Sequence, residues 1–287
     1  MVDRLTVLCF AGTYALALIG DLARVVARGS ARWYVTVVLT ALGWIIHTVY
    51  LANLAAQGLA IPVTGLRNSL LVLAWILVAI DLYLVVRSIR RLAVGLFVLP
   101  LVLIVLALAA WSPKGGWSQS NAWLTFWGTV HGLLLLLGAV STCVAFLAGL
   151  MYLWQADRLK SKRLPQPGFA LPSLEQSERW NRGAITLAFP LLTAGMFIGL
   201  ALIVATRQVG GATLAWTDPK VVSTVLMWIL FAGLLHARYR PEWRGKRVML
   251  LTALAFAFLA FAMVGVGLVL PTAHGAPSSP NANGRAV

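Results

Sequence analysis

Acidic side chains are scarce in this chain: eight Asp and Glu stand against 23 Lys and Arg in 287 residues. Charged residues of both signs make up 11% of positions, while 60% are apolar. A water-soluble domain of this size could not hide so much apolar surface, so most of its exterior must face lipid. Long polar stretches are lacking too. The longest, Gln155 to Arg182, covers about 28 residues and leaves no room for an ectodomain. Cysteine is nearly absent, and Cys9 and Cys143 each sit inside an apolar run, which argues against a disulfide or a zinc site. There is no Cys-x-x-Cys-His run, so covalent haem attachment of the c type is excluded. No hydrolytic triad, paired-carboxylate site or Gly-rich phosphate loop can be assembled.

What is present is a series of apolar segments separated by basic or Pro/Gly-rich punctuation: 5–27, 33–56, 69–86, 92–111, 123–154, 183–206, 220–239 and 248–271. Each suits a hydrocarbon core about 30 Å thick at a rise of about 1.5 Å per residue. Backbone groups in lipid must pair internally, which makes each segment a helix. The expected fold is therefore an all-α integral membrane protein, a bundle of about eight transmembrane helices. Residues 1–271 form one membrane domain, and 272–287, rich in Gly, Pro, Ser and Asn, form a flexible external tail. The first segment, preceded by Asp3 and Arg4 and followed by no small-residue cleavage site, reads as a retained helix.

Basic residues set the orientation. The first connection and its flanks hold Arg24, Arg28 and Arg32; the third holds Arg87, Arg90 and Arg91. The fifth holds Arg158, Lys160, Lys162, Arg163, Arg179 and Arg182, and the seventh holds Arg238, Arg240, Arg244, Lys246 and Arg247. The opposite side has only Arg4, Arg67, Lys114, Arg207, Lys220 and Arg285. By the positive-inside rule the odd connections are cytoplasmic and both termini lie outside. This arrangement also accounts for the formal charge of +15 without nucleic acid. The fifth connection, with Pro165, Pro167 and Pro172, is expected to be extended or partly interfacial. No internal repeat or short broken helix marks a permease.

Ionisable residues inside a bilayer are costly, and each is a functional hypothesis. His47 lies about nine residues from the outer end of the second segment, and His131 about eight from that of the fifth. Both are roughly 12–14 Å below the external surface. Two imidazoles at one depth on different helices suit a bis-histidine haem b, held without covalent attachment in an apolar cavity. Equally, each could make an ordinary interhelical hydrogen bond. His236 lies near the cytoplasmic end of the seventh segment, where a snorkelling interfacial role is the plainer reading. His274 stands just past the eighth, and Asp218, next to Trp216, is placed to cap the seventh helix. Trp111, Trp117, Trp123 and Trp127 crowd the outer ends of the fourth and fifth segments as an aromatic belt. Asp81 is read as the remaining buried acid, with Arg87 as its simplest partner.

The second half resembles the transmembrane cytochrome c assembly family of the CcsA and HemX type. Asp218-Pro219-Lys220, Trp228, Phe231-Ala232 and Leu235-His236-x-Arg238 follow that family's D-P-K-E-T-W-x-x-x-T-W-x-x-F-A-x-Y-L-H-x-R stretch. Gly265-Val266-Gly267-Leu268 and His274 echo its G-V-N-L-L-G-x-G-L-H segment, and His131 with Arg158-Leu159-Lys160 resembles its first external histidine and basic loop. The resemblance implies a haem-handling protein of the bacterial cytoplasmic (inner) membrane, embedded in membrane lipid and working beside a membrane or periplasmic assembly partner. By that resemblance His131 and His274 are external ligands, His236 and His47 transmembrane ones, and Trp216 and Asp218 further cofactor-binding residues, whereas depth pairs His47 with His131. Ala215 and Thr217 replace tryptophans of the family's external signature, and Val221 replaces the acid after Lys220. These departures point away from an enzyme acting alone, such as a cytochrome c synthetase, and towards the shorter HemX-like branch. The rival expectation is a haem-free regulatory subunit that engages a cytoplasmic partner through the 155–182 loop.

Overall fold

The computed structural model describes residues 2–26, 30–57, 65–87, 93–112, 121–162, 171–208, 218–240 and 245–266. Among them are eight α-helices: α1 Val2–Val26, α2 Ser30–Ala56, α3 Leu66–Arg87, α4 Gly95–Trp111, α5 Ala122–Lys160, α6 Leu174–Gln208, α7 Pro219–Tyr239 and α8 Lys246–Ala260, the last continued by a π-helical turn, Phe261–Gly265. All but α4, which has 17 residues, carry apolar runs of 18 residues or more. The chain is a multi-pass membrane helical bundle.

The helices close into two rings of four. In the first, α1 packs on α2 and α4, and α3 packs on both α2 and α4; in the second, α5 packs on α6 and α8, and α7 on both. Contacts of α5 with α3 and α4 join the rings. Because lipid is as apolar as a leucine side chain, close approach of backbones rather than burial from water holds such helices together. The α5–α6 seam is built accordingly: Gly138, Ala139, Ser141, Ala145 and Gly149 are buried along α5, and Leu192 fills the space over Gly138. Outward-facing Leu8, Leu16, Val38, Ile45, Phe126, Phe197 and Ile229 form a lipid-facing coat.

Local chemistry sets the ends. Asn121 caps α5, its side chain accepting from Trp123 N at 2.9 Å. Asp218 caps α7 by accepting from Lys220 N at 2.8 Å, with Pro219 at the first helical position. Gly245, at φ 64°, starts α8 in the left-handed region, where a Cβ would also meet the Tyr152 hydroxyl at 2.9 Å.

The 155–182 stretch departs from the expected extended loop. Helix α5 continues to Lys160 and α6 starts at Leu174. At 39 and 35 residues, they run for about 58 and 52 Å and project past the hydrocarbon core. Ser173 Oγ accepts from Gln176 N at 3.2 Å, and Arg179 pairs with Glu175 at 2.8 Å one turn away, so mixed charge here supports helix rather than opposing it. Residues 163–170, with Pro165 and Pro167, lie outside the described residues, as does the expected tail 272–287.

Candidate functional site

The candidate site is built where the N-terminal part of α5 meets the C-terminal part of α6. Trp123, Trp127 and His131 recur every four residues, so they form one stripe down α5; the Trp123 and Trp127 rings lie 6.3 Å apart. His131 turns onto α6, where its Nδ1 sits 2.7 Å from the carbonyl oxygen of Gly195. A carbonyl can only accept, so Nδ1 carries the proton, and the Nε2 lone pair of the neutral ring stays free for a ligand. Gly199, one turn further, makes room: a Cβ there would meet His131 Cε1 at 2.6 Å. Neighbouring Trp228 donates from Nε1 to Thr193 Oγ1 at 2.9 Å, tying α7 to α6 in the same ring.

His47 occupies the other ring. It is fully buried and stacks on Phe10 of α1 with centroids 4.1 Å apart and an interplanar angle of 6°. Its Nδ1 is 3.4 Å from the Tyr14 hydroxyl. Its Nε2 has no hydrogen-bond partner, an unusual state for a buried polar atom. His47 and His131 therefore contact different helices in different rings and do not share one cavity wall. His236 is exposed, and its Nε2 accepts from Arg240 Nε at 3.3 Å; it is not brought to either of the other two. His274 and Trp216 lie outside the described residues. Asp218 is buried as the α7 cap.

A polar clamp that the sequence did not flag ties the second ring together at the end that carries the basic clusters. Asn181, fully buried on α6, donates to Ala145 O of α5 at 2.7 Å and to Thr252 Oγ1 of α8 at 3.3 Å. Its Oδ1 accepts from Arg238 of α7, which also donates to Glu178 O at 3.0 Å. One asparagine thus bridges all four helices. The signal was available in the sequence: an Asn at the start of an apolar run, with an arginine of opposite hydrogen-bond character on α7. The buried acid Asp81 likewise departs from expectation, since it lies beside Asp21 near the start of α4, while Arg87 is exposed.

The family model described as cytochrome C assembly protein matches residues 63–274. The chain belongs to the cytochrome c assembly protein family. It is similar to the cytochrome c biogenesis protein CcsA of Guillardia theta, 25% identical over 249 residues that cover 80% of this chain and 81% of the relative. The CcsA of Gloeobacter violaceus is 25% identical over 266 residues, 74% of this chain and 77% of the relative. That of Heterosigma akashiwo strain CCMP452 is 24% identical over 243 residues, 72% and 74% respectively. These matches assign the chain a role in cytochrome c assembly and lend no support to a HemX-like branch. His131, His236 and His274 fall within the matched span, together with the Gly195–Gly199 notch, whereas His47 falls before it.

Proposed function

We propose that this cytochrome c assembly protein handles haem, with His131 as an axial ligand near the external face. The observation that carries the reading is the bond from His131 Nδ1 to Gly195 O at 2.7 Å. Ligating histidines characteristically donate their second nitrogen to a carbonyl, which sets the tautomer and aims the other nitrogen. The donor chemistry fits: a neutral imidazole lone pair is a haem-iron ligand. Bound there, haem would supply the iron and the porphyrin to be passed on in assembly.

The chain's own residues have distinct tasks in this reading. Gly195 and Gly199 hold the imidazole, and the Trp123–Trp127 stripe offers flat apolar faces for a porphyrin. His274 is the proposed opposite ligand, and Trp216 a haem-binding residue, by the family resemblance alone. His47, with its buried Nε2 unpartnered, is a candidate for a separate site in the first ring; the pairing of His47 with His131 does not fit two rings. His236, bonded to Arg240 on an exposed face, is not proposed as a ligand. The haem is non-covalent haem b, the partner is a membrane or periplasmic assembly protein, and the location is the bacterial cytoplasmic membrane, with the basic clusters inside.

The test is an optical spectrum, oxidised and reduced, of purified haem-replete protein beside His131→Ala and His47→Ala. A Soret band and a sharp reduced α band lost in His131→Ala and kept in His47→Ala is the expected result. A wild type without any Soret band would end the haem reading.

A further inference from the structure

The cytoplasmic end of the first ring contains a feature that the site above does not use. Asp21 of α1 and Asp81 of α3 are both buried, at 6% and 3% exposure. They stand about five and six residues from the cytoplasmic ends of their helices, hence roughly 8–9 Å inside. Both converge on the first residue of α4: a Cβ on Gly95 would lie 2.3 Å from Asp21 Oδ2 and 3.6 Å from Asp81 Oδ2. Glycine at 95 is what leaves room for the Asp21 carboxyl, with Asp81 at contact distance beside it. Asp81 Oδ1 is buried and has no hydrogen-bond partner.

The groups around Asp81 can be named. Helix α4 carries no titratable side chain between Gly95 and Trp111; at this end α2 carries Arg32 and the exposed Tyr34, and α1 carries Arg24, the two arginine side chains lying outside the described ones. Helix α5 carries Tyr152, Asp157, Arg158 and Lys160 towards this end, none of them bonded to Asp81 Oδ1. On α3 itself Arg87 is exposed. Asp21 is the charged group whose field reaches Asp81 among the described residues. Two carboxyl groups that face one residue in a low-dielectric interior repel, and Asp81, whose Oδ1 has no hydrogen-bond partner, is the costlier of the two to keep ionised. The start of α4 favours keeping one negative charge, through its unpaired backbone N–H groups.

We propose that Asp21 and Asp81 form a proton-binding site at the cytoplasmic end of the first ring, holding one proton on Asp81 and one negative charge on Asp21. The proton is taken from and returned to the cytoplasmic side, so the pair changes by one charge when it loads or empties. This site is independent of the haem reading and shares no residue with it.

The experiment is infrared spectroscopy of the full-length protein in lipid at neutral pH, in H2O and D2O, for wild type, Asp81→Asn and Asp21→Asn. The expected result is a deuterium-sensitive C=O stretch of a protonated carboxyl in the wild type, absent from Asp81→Asn and shifted in Asp21→Asn. Asn copies the shape of the protonated acid, so Asp81→Asn should fold; if it does not, Asp81→Glu keeps the proton and must move the band. A wild type with no protonated-carboxyl band overturns the proposal. A band that survives unchanged in Asp81→Asn, or is unmoved in Asp81→Glu, overturns it as well.

Discussion

The imidazole of His131 and the backbone of Gly195 meet at 2.7 Å across the α5–α6 seam, and nothing larger than hydrogen at position 199 would let the ring lie there. A histidine on one helix is thus oriented by two glycines on the next, so the ring and the helix approach depend on each other.

The first prediction concerns that notch. Gly199→Ala places a methyl 2.6 Å from His131 Cε1, and overpacking of this kind costs about 1–3 kcal/mol. The ring should swing off Gly195, and the haem content of purified protein should fall towards that of His131→Ala. Unchanged haem content with an intact fold would show that the Gly195 bond does not aim the ligand.

His47 separates packing from ligation. His47→Ala removes a fully buried ring and should destabilise by about 2–5 kcal/mol, whereas His47→Phe keeps the stack on Phe10 and should unfold near the wild-type temperature. If the ring only packs, His47→Phe will also retain all bound haem. A loss of one haem equivalent in His47→Phe, with stability kept, would assign a second site to the first ring.

The Asn181 clamp should behave as a unit. Asn181→Leu strips Arg238 of one acceptor while it stays partly buried, a change worth about 1–3 kcal/mol, read as a lower midpoint in detergent unfolding. Adding Arg238→Met removes the stranded charge and should recover part of the loss. Simple additivity of the two would argue that they do not act together. Arg238→Lys in the otherwise unchanged chain should also lower the midpoint, because a point charge cannot span both Asn181 Oδ1 and Glu178 O.

His236→Ala serves as a contrast. The ring is exposed and bonded to Arg240 at 3.3 Å, so stability should change by no more than about 0.5 kcal/mol and haem content should not change. Loss of haem in this variant would restore the transmembrane role that the family resemblance implied.

Much of this molecule was legible in the sequence, because lipid imposes simple rules. Sixty per cent apolar residues in long runs allowed only membrane helices, and the basic clusters set their orientation. The Asp218-Pro219-Lys220 start of α7 and the D-P-K and L-H-x-R spacing pointed to the cytochrome c assembly family. Helix extent was less legible where polar residues continue a helix into water: Glu175, Arg179 and Ser173 look like loop until their own hydrogen bonds are seen.

The tertiary structure decided which residues meet. Depth along a helix can be counted from sequence at a fixed rise per residue, and so His47 and His131 matched in height. Azimuth and neighbours depend on which helices close into which ring, and that is set by the fit of Gly138, Gly195 and Gly199 against Leu192, Leu135 and His131. The same packing placed Asp21 beside Asp81, sixty residues apart in the chain, and put one asparagine among four helices. Spacing within a segment sets depth and face; only the packed bundle sets partners, because contacts between helices are made by surfaces that no single segment contains.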